Sequence, residues 1–338
     1  MVVSSPPVTV IMPVLNEESH LAASVQSILN QEYPGDLEII LALGPSHDQT
    51  NAVAAEIARR EPSVRFIDNP RGLTTVGLNT AIKLAKHDFI VRVDAHSELA
   101  PGYIADGIRI LLGVGADQLG GIMDAKGKSS FQKAVAWAYK SRFGIGGASY
   151  HVGGEAGEAE SAYLGIFKKS ALIRVSGYDE AIIRGEDWDL AQRIKKTGGL
   201  VWFSPELKVT YWPRGRFSNL VKQFYSTGIW RGDLTHRDLR RASKRYFAPP
   251  ALVVALFAGL VWLGFGRLIG ILPWALYLLG VFGLAVSARD LSLKSRIALM
   301  IVLPTMHLSW GIGFIKGYAN GAGNTIDKGR LSGKAAGK

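Results

Sequence analysis

Three long apolar runs near the carboxyl end, residues 247–265, 268–288 and 297–315, restrict what this chain can fold into more than anything before them. Each is close to the ~20 residues that a helix needs to cross a bilayer, and none holds an Asp, Glu, Lys or Arg. One such run could be a helix buried in a soluble core; three in succession read as membrane helices. Up to residue 245 charged and apolar residues are mixed as in a soluble domain. The expected organisation is therefore a domain over 1–245, a membrane domain over 246–317 with two or three spans, and a basic Gly/Lys-rich tail over 318–338 that predicts disorder.

The start of the chain has no basic segment and no apolar stretch of the secretory kind, so the large domain is expected to stay cytoplasmic, on the inner face of the cell membrane. Arg240, Arg241, Lys244 and Arg245, just before the first apolar run, fit the excess of Lys and Arg on cytoplasmic flanks. Three full crossings would put Lys328, Arg330, Lys334 and Lys338 outside, against that tendency. Pro304 could instead break the third segment into a re-entrant or interfacial piece. The net charge of +11 does not call for nucleic acid, because much of it flanks the apolar runs, where anionic lipid is the simpler partner. With no Cys, zinc fingers and disulfides are excluded.

Along the first domain, β-rich runs are expected at 8–14, 37–43, 64–67, 89–93, 120–123, 163–167 and 200–203. Helices are expected after Ser19, read as a cap, and over 51–60, 77–84, 101–112, 169–175 and 186–195. This alternation predicts an α/β domain with a parallel sheet covered by helices on both faces. The Gly-rich stretch 144–157 reads as a mobile loop, either a lid or plain disorder.

Four constellations could carry chemistry. Asp94 and His96 follow the buried run 89–93; in extended backbone two residues apart they would share a face and could hold a divalent ion, although a capped turn with a polar loop histidine explains them equally well. Pro13-Val14-Leu15-Asn16-Glu17-Glu18 puts polar groups at a strand end, and Gly185-Glu186-Asp187-Trp188-Asp189 gathers carboxylates at a helix start. Both sets of acids would also suit a helix dipole. Gln223-Phe224-Tyr225 with Gly228-Ile229-Trp230-Arg231 is aromatic and basic, a composition shared by interfacial anchors.

Taken in this order, the four sets resemble the family 2 inverting glycosyltransferases. The opening strand looks like that family's first strand, Asp94-Ala95-His96 stands where its Asp-x-Asp motif would be, and Glu186-Asp187 resembles its catalytic pair. Asn69-Pro70-Arg71, Gly77-Leu78-Asn79, Arg92 to Ser97, Tyr163-Leu164-Gly165 and the Gln223 to Trp230 segment sharpen the likeness toward membrane-bound succinoglycan-type exopolysaccharide glucosyltransferases. The resemblance implies a GT-A type domain with a mixed, Rossmann-like sheet, followed by the transmembrane helices. It implies a divalent metal, Mn²⁺ or Mg²⁺, at Asp94 and His96, and donor contacts from Pro13, Asn16, Glu17, Asn79 and Asp94. Asp187 would be the base, with Glu186 orienting it or the acceptor, and Gln223, Trp230 and Arg231 would meet the acceptor. The implied reaction moves a hexose, glucose first, from a nucleotide-diphosphate sugar to a lipid-linked saccharide on a polyprenyl diphosphate. A processive polysaccharide synthase and a non-catalytic sugar-nucleotide-binding scaffold are the alternatives. The pattern departs from the family in three places: no acid ends the second strand before Asp48, His96 stands in place of the motif's second Asp, and Trp230 is followed, not preceded, by Arg231.

Overall fold

A computed structural model describes residues 5–239 and 242–323. Arg240, Arg241 and the basic tail beyond Gly323 lie outside the described residues. By packing, the chain divides into two compact units, and it passes through each of them twice. Among the described residues, one unit holds those up to Asp124 and Gly153–Tyr211; the other holds Ala125–Val152 and 212–323. Composition drew its boundary at 245, whereas packing joins two earlier polar segments to the apolar helices.

The first unit contains β1 (Val8–Val14), α1 (Leu21–Leu29), β2 (Leu37–Leu43), α2 (Thr50–Arg60), β3 (Val64–Asp68) and α3 (Thr74–Leu84). It continues through β4 (Phe89–Arg92), β5 (Ser97–Leu99), α4 (Tyr103–Val114) and β6 (Gln118–Ala125). After α5 (Ser130–Lys140) and α6 (Ser149–Val152) in the second unit, it resumes with β7 (Gly157–Glu158), β8 (Tyr163–Lys168), α7 (Lys169–Arg174), α8 (Glu186–Lys196) and β9 (Val201–Tyr211). The strand order is β3-β2-β1-β4-β8-β6-β9-β5, with β7 on β9. β3, β2, β1 and β4 are parallel, while β8 runs antiparallel to both β4 and β6. The sheet is thus mixed, and the expectation of an all-parallel one holds only for the amino-terminal half. Val10, Met12, Ile39, Leu41 and Val91 on one face and Ile11, Ile40 and Ile90 on the other are fully buried, as strands covered on both faces require, and because the four strands are parallel their carboxyl ends lie along one edge of the sheet.

Several local expectations change. Ser19 does not cap α1: His20 occupies the cap position, and Ser19 Oγ pairs with His20 Nδ1 at 3.1 Å. The turn comes from Glu17, whose carbonyl accepts from the backbone N–H of His20 and of Leu21. Helix α5, unexpected from periodicity, starts with a capping box in which Ser129 and Gln132 satisfy each other's backbone N–H groups. The Gly-rich stretch contains the short helix α6.

In the second unit α9 (Phe217–Arg237) precedes three helical stretches long and apolar enough to cross a membrane, Lys244–Gly264, Leu268–Ser287 and Leu293–Asn320, whose α-helices are α10 (Ala248–Gly264), α11 (Ile271–Ser287) and α12 (Leu293–Asn320). α10 and α11 form an antiparallel hairpin, with Trp274 Nε1 donating to the Leu256 carbonyl at 3.0 Å and Gly259 against Gly270. α12 runs unbroken through Pro304, so of the two alternatives the helix is not split there, and the Thr305 hydroxyl donates to the Ile301 carbonyl at 2.7 Å within the same turn. α9 lies on α12 through glycines: a Cβ at Gly228, Gly232, Gly313 or Gly317 would strike the facing backbone, so only glycine permits this approach.

Candidate active site

The site is built around a charge in the wrong place. Arg92 is the last residue of β4 and only 3% exposed, in a strand whose other residues are apolar. A buried guanidinium must be paired, and three carboxylates meet it. Its Nη1 donates to Asp187, its Nη2 to Glu186 at 3.2 Å, and Nη2 and Nε both reach Asp94 Oδ1, at 3.2 and 3.3 Å. The Tyr178 ring covers the guanidinium, with its centroid 5.5 Å from Cζ. Two sets of acids more than ninety residues apart in the chain therefore share one cation.

Local structure explains how each acid arrives there. Asp94 follows β4, and the turn it begins closes with the Ser97 N–H on the Asp94 carbonyl at 2.9 Å. Ser24 of α1 holds that turn, donating to the Ser97 carbonyl at 2.7 Å. Glu186 and Asp187 form the first turn of α8, entered through Gly185 at φ +85°, a conformation that a side chain would resist. Three carboxylates against one guanidinium leave an excess of negative charge. Burial pushes the Asp187 carboxyl well above the ordinary carboxylate range; Arg92 opposes the shift, and Glu186 and Asp94 add to it. Asp187 keeps 24% of its side chain exposed, so it can be reached by a reactant.

His96 has a different partner from Asp94. Asp94 and His96 sit in a turn and not in the extended backbone expected, so strand alternation is not what places their side chains. His96 Nδ1 is 3.1 Å from Glu17 Oε1, and its ring meets Tyr211 edge-on at 6.1 Å. Glu17 lies in the loop after β1, which is knitted to the loop after β2. The Asn16 N–H donates to Ser46 Oγ at 3.0 Å, Asn16 Oδ1 accepts from His47 N–H at 2.8 Å, and the Glu17 N–H donates to Thr50 Oγ1 at 2.7 Å. Asp48, the first acid after β2, accepts from the Thr50 N–H at 3.0 Å and so tightens the turn that leads into α2. Pro13 pairs with Ala42 across β1 and β2.

Asn79, expected at the donor, is held against the Tyr178 backbone. Its amide spans the Tyr178 backbone, accepting from the N–H and donating to the carbonyl, each at 2.8 Å, and Gly177 leaves the room this requires. Asn79 thereby fixes the ring that covers Arg92. Arg92 and Tyr178 were missed as site residues; the legible signal was a lone Arg inside a β-forming run. Gln223, Trp230 and Arg231 all lie on α9, in the second unit. Gln223 Nε2 donates to the Tyr139 hydroxyl at 3.1 Å, Trp230 is 3% exposed, and the Arg231 guanidinium lies 4.5 Å over the Tyr246 ring.

Residues 9–174 match the model of glycosyl transferase family 2. The succinoglycan biosynthesis protein ExoA of Rhizobium meliloti is 30% identical over 320 residues, which cover 90% of this chain and 93% of that protein. The chain is a family 2 glycosyltransferase. A second relative of this glycosyltransferase, a dolichyl N-acetyl-α-D-glucosaminyl phosphate 3-β-D-2,3-diacetamido-2,3-dideoxy-β-D-glucuronosyltransferase of Methanococcus voltae, is 22% identical over 336 residues, covering 93% of this chain and 98% of its own. Among solved structures, the mannosyltransferase PcManGT of Pyrobaculum calidifontis, in complex with GDP-Man and Mn²⁺, superimposes with a TM-score of 0.57 at 18% identity, covering 95% of this chain and 88% of that one. That likeness establishes the GT-A type mixed-sheet fold for the glycosyltransferase.

Asp94 and His96 each keep one donor atom that could turn to a divalent cation arriving with a diphosphate. Asp94 places Oδ1 on Arg92, leaving Oδ2, and His96 places Nδ1 on Glu17, leaving Nε2. Among the described residues no three His, Cys, Asp or Glu side chains form a metal cage. Two protein ligands completed by substrate phosphate and water are what Mg²⁺-type sites ordinarily use.

Proposed function

We propose that this glycosyltransferase is a metal-dependent inverting enzyme. It moves a hexose, glucose first, from a nucleotide-diphosphate sugar to a lipid-linked saccharide at the cytoplasmic face of the cell membrane, in the synthesis of an exopolysaccharide or envelope glycan. The observation that carries the reading is the sharing of Arg92 by Asp94 and Asp187. A single displacement needs a group on the donor's phosphate side and a base on the opposite side of the anomeric carbon, and one guanidinium ties these two functions together.

Asp187 takes the proton of the acceptor hydroxyl as the oxygen attacks, the nucleotide diphosphate departs, and the anomeric configuration inverts in that one step. Its raised affinity for protons makes it a better base than an ordinary aspartate. Glu186, on the other arm of Arg92, orients Asp187 or the acceptor. Asp94 and His96 would hold Mn²⁺ or Mg²⁺, which when bound supplies charge neutralisation for the departing diphosphate. The lipid-linked acceptor is supported by the three apolar helices and by the dolichyl phosphate substrate in the name of the M. voltae relative. Gln223 and Arg231, on the helix that packs against α12, are the proposed acceptor contacts; Trp230, expected with them, is only 3% exposed, which closes it to an acceptor.

The test is to offer a panel of radiolabelled nucleotide sugars, with and without Mn²⁺, to membranes holding the protein, and to extract the products into organic solvent. Metal-dependent label in the organic phase is the expected result. Label that stays wholly in water, as free sugar or soluble polymer, would overturn the lipid-linked acceptor.

A further inference from the structure

His96 stands where a second aspartate would be expected, which exchanges an anionic metal ligand for a neutral one, and the structure holds a compensation. His96 Nδ1 lies 3.1 Å from Glu17 Oε1, and a carboxylate there can only accept, so Nδ1 is the donating nitrogen of that pair and Nε2 is the one turned away from it. Glu17 is itself only 12% exposed and firmly held, by its N–H on Thr50 Oγ1 at 2.7 Å and by the neighbouring Asn16, locked at φ +55° between Ser46 and His47. Its second oxygen lies 3.5 Å from His20 Nδ1, on the exposed side of the loop. A rigid carboxylate behind a histidine fixes the ring's tautomer and orientation and makes the imidazole a stronger donor.

We propose that Glu17 is a positioning residue for His96: it presents Nε2 to the divalent cation and returns to the site the negative charge that an Asp-to-His exchange removes. The inference rests on the metal-dependent reading above and reassigns Glu17, expected at the donor, to the metal. A nitrogen ligand also shifts preference from Mg²⁺ toward Mn²⁺, so the pair sets which ion the enzyme uses.

The test uses the full chain in detergent, with Mn²⁺ titrated by electron paramagnetic resonance in the presence of UDP or GDP as the diphosphate probe. The wild type is expected to show the hyperfine signature of one directly bound histidine nitrogen, and His96→Asp to lose it along with part of the preference for Mn²⁺ over Mg²⁺. Glu17→Gln should keep the nitrogen signature and the melting temperature but weaken Mn²⁺ binding ~10–100-fold. In the His96→Asp background the same Glu17→Gln change should leave Mn²⁺ affinity unchanged or improved, because two neighbouring carboxylates repel. If Glu17→Gln does not fold, Glu17→Asp makes the same comparison, keeping the charge and withdrawing it by one methylene. An equal loss in both backgrounds, or none in either, overturns the proposal while leaving metal dependence intact. A wild type that binds Mn²⁺ with neither nucleotide removes the metal-dependent reading, and this inference with it.

Discussion

Arg92 makes most of the site's contacts, and its removal should be felt twice. Arg92→Met would leave Asp94, Glu186 and Asp187 facing one another without their cation, at an expected cost of about 3–5 kcal/mol in stability. Arg92→Lys keeps a charge but cannot fork to three acids, so it should recover part of the melting temperature and little of the transfer rate. Asp187→Asn should lower transfer by ~10²–10⁴-fold while the protein stays folded. Because Asp187 holds its proton above the ordinary carboxylate range, kcat/KM should climb with pH through that raised value and then level. A carboxyl raised in the folded state stabilises fully below its unfolded pKa, and that contribution is lost as pH rises through the folded one. Unfolding measured against pH should therefore show Asp187→Asn gaining on the wild type toward neutral and alkaline pH. An unchanged difference across that range would mean the carboxyl is not perturbed as the geometry implies.

At the scale of elements, the parallel strands are tied at the ends remote from the site by Glu38, which is 6% exposed. Its carboxylate accepts from Thr9 of β1 at 2.8 Å, Arg65 of β3 at 2.9 Å and the Lys86 backbone N–H at 3.1 Å. Burial alone would raise its pKa; the Lys86 N–H, Arg65 and Thr9 overcome that and hold it below the usual range. The sign is opposite to that of Asp187: Glu38 stabilises above the ordinary carboxylate pKa, and that contribution disappears as pH falls through its lowered value. Glu38→Gln should cost about 1–3 kcal/mol at neutral pH and flatten the acid limb of the stability curve. In the other unit, the glycines between α9 and α12 make a sharper comparison. Gly317→Ala drives a Cβ into the Ile229 carbonyl and should cost about 1–3 kcal/mol, whereas at Gly280 in α11 a Cβ meets nothing within 4 Å and Gly280→Ala should be neutral or stabilising. Thermal unfolding in one detergent, run on both variants, reads the difference directly.

Across the whole molecule, the division by packing means that α5 and α9, polar enough in sequence to be assigned to the soluble domain, belong with the apolar helices. The hairpin of α10 and α11 brings its two ends to the same side, and Arg289, Lys294 and Arg296 flank the turn that follows. A reporter placed in the 288–292 turn should therefore read as cytoplasmic, and the chain should stay in membranes through an alkaline wash; an external reading would reverse the proposed orientation. The sequence by itself determined the things that short-range patterns encode. Continuous apolar runs became the buried parallel strands, long uncharged runs became α10 to α12, and an ordered set of motifs identified the family. It could not show that Pro304 sits inside an intact helix, that Asn79 serves Tyr178, that Glu17 backs His96, or that Arg92 joins Asp94 to Asp187. Those outcomes depend on which distant loops the strand order sets side by side, and on the rule that a buried charge takes whatever partner the fold brings within reach. Periodicity carries no record of such meetings, so only the tertiary structure decided them.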